Sequence, residues 1–364
     1  MLDEAAIYQV GLLISVLSSV YAALQPCVLL AVLCLAIGYI CFTALQRKRV
    51  RSLTAYGRTV LITGCDTGIG YGLAQRLLLE GFTVIATCLD VEGPGARELK
   101  KNRSGRVHVI RLDVTSDDSV ELCFERTRKI CKGTDGVLND ARSFTYENEY
   151  AVTPLSSYLL RVERVVDVNL LGVIRVTKAF LPLVRYTQGR IVNVTSVKGL
   201  CAYPCFGAYN ISKYGAEGLT DTLRLEMKGF GVKVIAVEPG NFGGATALWD
   251  ESNTERLRRE MADMTSGATD EALTTYGDDY LDQMLSMFKE GNTYSRSNID
   301  PLLDDFVDAL TNQSPAYRYA THGGSTLLDI DVLLTVWKNY LPTSLLDYLV
   351  LKYRGIPARM KEGR

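Results

Sequence analysis

Arg58-Thr59-Val60-Leu61-Ile62-Thr63-Gly64-Cys65-Asp66-Thr67-Gly68-Ile69-Gly70 is the stretch on which the reading of this chain turns. A β-branched, apolar run ends in a glycine-rich turn, and Leu73, Leu77 and Leu78 then recur at helical spacing. The pattern predicts a buried strand, a tight turn and a helix. Glycines at such a turn let the backbone approach a pyrophosphate, whose charge the helix N-terminus attracts. Thr63, Gly64, Asp66, Gly68, Ile69 and Gly70 are therefore candidate contacts to a dinucleotide.

The chain beyond this turn keeps alternating. Phe82 to Leu89 reads as a second strand ending at Asp90. A carboxylate there hydrogen-bonds an adenosine ribose diol and repels a 2′-phosphate. No Arg or Lys follows Gly64 in the loop, so NAD is expected over NADP. Val107 to Leu112 reads as a strand ending at Asp113-Val114, Ser119 to Ile130 as a helix, and Gly136-Val137-Leu138 as a short strand before Asn139. Val165 to Leu183 reads as a long helix carrying Asn169. Ile191 to Thr195 and Val232 to Val237 read as strands, with a helix from Ala208 to Met227 between them. Such alternation predicts an α/β fold, a Rossmann-type doubly wound parallel sheet. Sites in that fold open at the carboxyl ends of the strands. Asp90, Asp113, Asn139, Ser196 and Gly240 all fall at predicted strand ends.

Ser196, Tyr209 and Lys213 carry the chemistry. Residues four apart on a helix share a face, which places the Lys213 ammonium beside the Tyr209 hydroxyl. A nearby cation favours the phenolate, so Tyr209 is fitted to act as a general base. With a serine hydroxyl at the neighbouring strand end, the layout suits oxidation of an alcohol or reduction of a ketone.

Composition sets the outer bounds. The chain has 364 residues and a formal net charge of −1, which gives no sign of a nucleic-acid partner. Its nine cysteines lack CxxC spacing and read as reduced thiols. No Cys/His cluster resembles a metal site. Val10 to Leu45 is almost uninterrupted apolar sequence, split by Gln25-Pro26 and followed by Gln46-Arg47-Lys48-Arg49-Val50-Arg51. Cys27 to Leu45 is long enough to cross a bilayer, so an N-terminal transmembrane segment is expected. The basic cluster and the domain behind it are expected to face the cytosol. The basic residues follow the apolar stretch, which argues against a cleaved signal peptide. The expected organisation is an anchor over 1–51, a dinucleotide-binding domain with a substrate lid over 52–300, and a helical, substrate-covering C-terminal extension over 301–364.

These residues together resemble the short-chain dehydrogenase/reductase family over about residues 56 to 355. Thr63 to Gly70 is similar to its cofactor motif. The resemblance implies that Asn169, Ser196, Tyr209 and Lys213 form the catalytic tetrad. It implies cofactor contacts from Asp113, Val114, Asn139, Ala141, Tyr209, Lys213, Pro239 and Gly240, and substrate contacts from Ser196 and Tyr209. Glu92 to Leu99, Lys178 to Leu183, Glu238 to Phe242 and Tyr340-Leu341-Pro342 resemble a membrane-associated branch. That branch holds the type 2 17β- and 11β-hydroxysteroid dehydrogenases, the microsomal retinol dehydrogenases and D-β-hydroxybutyrate dehydrogenase. One departure stands out: the family's Asn-Asn-Ala-Gly reads Asn139-Asp140-Ala141-Arg142 here.

The resemblance implies an NAD-dependent interconversion of a lipophilic alcohol, a steroid or retinoid, with its ketone or aldehyde at the endoplasmic reticulum membrane. A lid rich in apolar residues, from Leu248 and Trp249 through Tyr276, Met284 and Phe288, agrees with such a substrate. A homodimer or tetramer is the family habit. Two alternatives stay open at this point. One is a hydroxy acid such as β-hydroxybutyrate at a mitochondrial membrane. The other is a membrane-tethered scaffold whose cofactor site has degenerated around Arg142.

Overall fold

The structure is a computed structural model. It describes residues 53–133, 142–145, 159–204, 206–246, 295–324 and 329–354, with positions 255, 258, 259 and 286. The chain divides into two units, Met1–Ser52 and Leu53–Arg364, and all described residues belong to the second. The expected anchor lies outside the described residues. Among the described residues, no helix is long and apolar enough to cross a membrane.

Seven parallel strands form one sheet. They are β1 (Thr59–Ile62), β2 (Thr83–Cys88), β3 (Val107–Arg111), β4 (Arg142–Thr145), β5 (Arg190–Val194), β6 (Lys233–Pro239) and β7 (Arg318–Thr321). Their spatial order is β3-β2-β1-β4-β5-β6-β7, with every neighbouring pair parallel. The order reverses between β1 and β4, which opens a crevice at the carboxyl ends of those strands.

Alternate strand residues feed opposite faces. Val60, Ile62, Val84, Ala86, Val192, Val194, Ile235 and Val237 pack under helices α1 (Gly68–Glu80), α2 (Pro94–Lys100) and a later helix, Asp300–Thr311, which supplies Leu302, Phe306 and Leu310. Leu61, Ile85 and Ile110 face the other way, onto α3 (Asp117–Gly133) and onto Val176, Phe180 and Leu183 of a helix over Gly172–Tyr186. A sheet covered on both faces explains why its strands read as continuous apolar runs.

One expected helix is interrupted, and strands form at two further places, β4 and β7. The helix expected over Val165 to Leu183 is α4 (Leu159–Val166), a π-helical turn (Asp167–Leu171) and α5 (Gly172–Tyr186). The turn carries Asn169, in line with the tendency of π-turns to mark functional positions. The fourth strand forms at Arg142–Thr145, one step past the Asn139-Ala141 motif, where it registers Val60 with Arg142 and Phe144 with Val192. Gly136 to Leu138, Asn139 and Ala141 lie outside the described residues. The 301–364 segment supplies most of the Asp300–Thr311 helix and all of β7, so the sheet continues past residue 300.

Three further helices complete the described fold: α6 (Gly207–Met227), α8 (Ile330–Trp337) and α9 (Thr343–Arg354). The Asp300–Thr311 helix is α7.

Candidate active site

The turn after β1 has the geometry of an anion cradle. Gly64 and Gly68 take left-handed backbone angles, φ +67° and +62°, which residues with a Cβ rarely adopt. A Cβ on Gly70 would stand 2.2 Å from the Gly64 carbonyl oxygen, so helix and turn touch backbone to backbone. Thr67 does not cap α1 with its side chain, which leaves the helix N-terminus facing the crevice. Thr63 is buried, and Ile69 and Gly70 pack into the base of the turn.

The next strand ends hold the adenosine side. Asp66 accepts from the amides of Leu89 and Asp90, each at 3.0 Å. Asp90 is exposed just past β2, and its Oδ1 accepts from the Glu92 amide. Asp113, past β3, accepts through Oδ1 from both the amide and hydroxyl of Thr115. Val114 is buried against Gly172 at the start of α5.

The reacting side is assembled from β5, the π-helical turn and α6. Ser196 leaves β5 in extended backbone and caps a short 3₁₀ turn, Val197–Gly199. Its Oγ accepts from the Lys198 amide at 3.2 Å and donates toward the Pro239 carbonyl at 3.5 Å. Tyr209 and Lys213 lie one turn apart on α6, each only 1% exposed. Lys213 Nζ stands 5.6 Å from the Tyr209 ring centre and donates to the Val194 carbonyl, two residues before Ser196, at 3.0 Å. That bond pins the helix cation to the end of the strand. The close fit continues at Gly199, where a Cβ would stand 2.7 Å from the Lys213 carbonyl oxygen. Asn169 donates to the Ser212 hydroxyl at 3.2 Å, and Ser212 donates to the Tyr209 carbonyl at 2.8 Å. The residues expected to form a tetrad therefore belong to elements that meet at one place. They offer a phenol, a cation and a hydroxyl for proton transfer at a substrate oxygen.

Pro239 and Gly240 close this end. Gly240 donates its amide to the Thr321 carbonyl at 2.9 Å, and a Cβ on it would lie 2.5 Å from Asp329 Oδ2. Asp329 also accepts from the amides of Gly323, Gly324 and Asp331, and its own amide donates to His322 Nε2. Sequence reasoning passed over this clamp, although an Asp before the apolar run Ile330 to Trp337 is a helix-cap signal.

It also passed over a partly buried ion cluster beside the site. Glu217 and Asp221 on α6 and Glu238 on β6 all bind Arg318 of β7. Burial and the facing Glu217 carboxylate push Glu238 up to about 7. Burial works against the Arg318 charge, but its bonds to Glu217 and Glu238 hold it above the usual range. Glu217 lies on the buried stripe that carries Tyr209, Lys213 and Ala216. A carboxylate at a core position was the available signal. The expected lid residues from Leu248 to Phe288 lie outside the described residues.

Comparison with known proteins agrees with this geometry. Residues 58–257 match the family described as short chain dehydrogenase. The chain is 36% identical over 271 residues to the mitochondrial D-beta-hydroxybutyrate dehydrogenase of Rattus norvegicus, covering 73% of this chain and 77% of that protein. It is 37% identical over 306 residues to 17-beta-hydroxysteroid dehydrogenase type 6 of Bos taurus, covering 82% and 90%. A short-chain dehydrogenase from Burkholderia cenocepacia J2315, solved in complex with NADP, superposes with a TM-score of 0.57 at 19% identity, over 82% of this chain and 99% of that one. At that identity the superposition speaks for the fold.

Proposed function

Because this chain belongs to the short-chain dehydrogenase/reductase family and is an oxidoreductase acting on CH–OH donors, we propose that it is a membrane-bound, NAD-dependent dehydrogenase of a lipophilic alcohol, a steroid or retinoid. One observation carries the reading. The Lys213 ammonium is buried, bonded to the end of β5 and one turn from a buried Tyr209.

The dinucleotide fits this chain. The glycine turn suits close backbone approach, with left-handed angles at Gly64 and Gly68 and no room for a Cβ at Gly70, the open N-terminus of α1 suits a pyrophosphate, and Asp90 suits the ribose diol. Bound there, it supplies the hydride acceptor in oxidation and the donor in reduction. Tyr209 Oη removes the carbinol proton in oxidation and returns it in reduction. Lys213 keeps the phenolate accessible at working pH. Ser196 Oγ holds the substrate oxygen as charge develops on it. Asn169 steadies the helix through Ser212 and sits where a proton relay would leave the site.

The lipid preference rests on the expected anchor and on the relatives that are named for steroids. The exposed aromatic residues of the C-terminal helices add to it. Trp337, Tyr340, Tyr348 and Tyr353 are exposed, with Lys352 over the Tyr348 ring, a composition suited to a membrane interface. The endoplasmic reticulum membrane is the proposed location. A second reading, a hydroxy acid at a mitochondrial membrane, draws on the hydroxybutyrate relatives. It also draws on Lys198, whose ammonium lies 4.5 Å over the Phe206 ring beside Tyr209 and Ser196. Homodimers or tetramers are the proposed assembly.

The test is a turnover screen. Membranes from cells expressing the full chain are given NAD or NADP with steroid alcohols, retinols and short hydroxy acids. Turnover of a steroid or retinol with NAD supports the reading. Turnover of hydroxy acids alone replaces it with the second, and turnover with NADP alone refutes the cofactor preference.

A further inference from the structure

Asp66 carries more than its place in the glycine turn requires. Both of its carboxylate oxygens are engaged: Oδ2 accepts from the Leu89 amide and Oδ1 from the Asp90 amide, each at 3.0 Å. These are the first two amides past the end of β2. The end of that strand is where a dinucleotide fold reads the adenosine ribose. Successive backbone amides in a turn are natural donors to an anion. Asp66 is thus an internal anion seated on two amides at that strand end.

Its surroundings hold it there. A Cβ on Gly95 would stand 2.1 Å from the Asp66 carbonyl oxygen, so the start of α2 lies directly against its backbone. A Cβ on Gly93 would stand 3.2 Å from the Asp90 carbonyl oxygen, and Asp90 is itself fixed by the Glu92 amide at 2.9 Å. The nearby Lys100 is turned to other partners. Its Nζ donates to the Val91 carbonyl at 2.7 Å and pairs with Glu92 at 2.9 Å.

We propose that Asp66 is a specificity-determining residue for the cofactor. By holding the Leu89 and Asp90 amides, and by adding a second negative charge next to Asp90, it excludes a 2′-phosphate and sets Asp90 for the ribose diol. The assignment rests on the NAD reading above. It divides cofactor choice between two motifs, the glycine turn and the end of the second strand.

The test uses the full-length protein in detergent micelles. Binding of NADH and NADPH is followed by fluorescence, and kcat/KM is measured with NAD and NADP, for the unaltered chain, Asp66→Asn, Asp66→Ser and Asp66→Glu. The two neutral variants are expected to lower the preference for NAD over NADP by about tenfold or more, as loss of one charge-charge exclusion implies. Asp66→Glu keeps the charge but misplaces it, and is expected to weaken both cofactors while leaving their ratio close to the original. A ratio is internal to each sample, so partial loss of folded protein does not move it. An unchanged ratio in both neutral variants, whether or not both cofactors weaken, overturns the assignment. An unaltered chain that already prefers NADP refutes the NAD reading itself, a result visible before any variant is made.

Discussion

Glu217 and Glu238 meet on one nitrogen of Arg318. Nη1 donates to Glu217 Oε2 at 2.5 Å and to Glu238 Oε1, while Nη2 takes Asp221 at 2.8 Å. One cation thus faces three carboxylates, two of them buried. The cluster ties α6, which carries Tyr209 and Lys213, to β6, whose end supplies the Pro239 carbonyl to Ser196. Close carboxylates in a low dielectric resist full ionisation, and one of them retains a proton.

The pH dependence of stability follows from that proton. Glu238 is raised from its usual 4.5 to about 7 in the folded chain. The folded state therefore binds the proton more tightly than the unfolded state. The resulting stability is full below about pH 4.5 and is lost as pH rises through about 7, a change on the order of 3 kcal/mol at most. Glu238→Gln mimics the protonated form. Thermal unfolding followed from pH 5 to 8 should show a falling melting temperature in the unaltered chain and a flatter profile in the variant. Equal slopes in the two would refute the assignment to Glu238.

Tyr209→Phe removes the proton carrier and leaves its ring. The ring packs near Phe206, with centroids 6.5 Å apart, so the fold should hold. Turnover is expected to fall by roughly 10²- to 10⁴-fold, the usual worth of a positioned general acid or base. Cofactor binding, read by fluorescence, should change little. A variant that keeps normal turnover would remove Tyr209 from the mechanism. Lys213→Met is harsher, since it also leaves the buried Val194 carbonyl without its donor at 3.0 Å.

Two glycines on helices at opposite faces of the sheet should answer oppositely to the same change. At Gly70 a Cβ meets the Gly64 carbonyl oxygen at 2.2 Å, a backbone atom that cannot swing aside. Gly70→Ala should open the turn, weaken cofactor binding strongly and destabilise the chain by about 1–3 kcal/mol. At Gly218, exposed on α6, a Cβ meets nothing within 4 Å. Gly218→Ala should instead stabilise by about 0.5–1 kcal/mol through helix propensity. Denaturant unfolding of both variants distinguishes steric cause from general sensitivity of the region.

The legible parts of the fold were those with a strong local signal. Strands buried on both faces, such as Ile191 to Val194, could only be apolar runs, and the turn at Gly64 to Gly70 declares itself by composition. Tyr209 and Lys213 were legible because helical spacing alone puts them together. β7 was not legible. Arg318-Tyr319-Ala320-Thr321 is short, mixed and at the sheet edge, and its arginine reads as a surface charge until Glu217, Asp221 and Glu238 come to meet it. The π-helical turn around Asn169 is a short backbone irregularity inside a helical pattern, and no residue type in it declares it. Asp66 looked like a cofactor contact, and only the partners of its two oxygens reveal its hold on the next strand. Asp329 is far from Gly240 in sequence, and contacts at that separation are set by topology rather than pattern.

That last contact leads to a prediction about the C-terminal segment. Asp329 joins three backbone amides, at Gly323, Gly324 and Asp331, and its Oδ2 lies against Gly240. The Gly240 amide is held in turn by the Thr321 carbonyl. The carboxylate thus links the segment after β7 to the Pro239-Gly240 turn, whose carbonyl receives the Ser196 hydroxyl. Asp329→Ala leaves buried amides without an acceptor, at a cost of about 1–3 kcal/mol each where water cannot reach them. Asp329→Asn keeps an acceptor oxygen and should recover much of the loss. If the clamp positions the nicotinamide side of the site, the alanine variant should raise KM for the cofactor and lower kcat, and the asparagine variant should restore both in part. A purely structural role would lower the melting temperature of the alanine variant while leaving the kinetics of the remaining folded protein unchanged. Steady-state kinetics normalised to folded protein, measured beside thermal unfolding for both variants, separates the two outcomes.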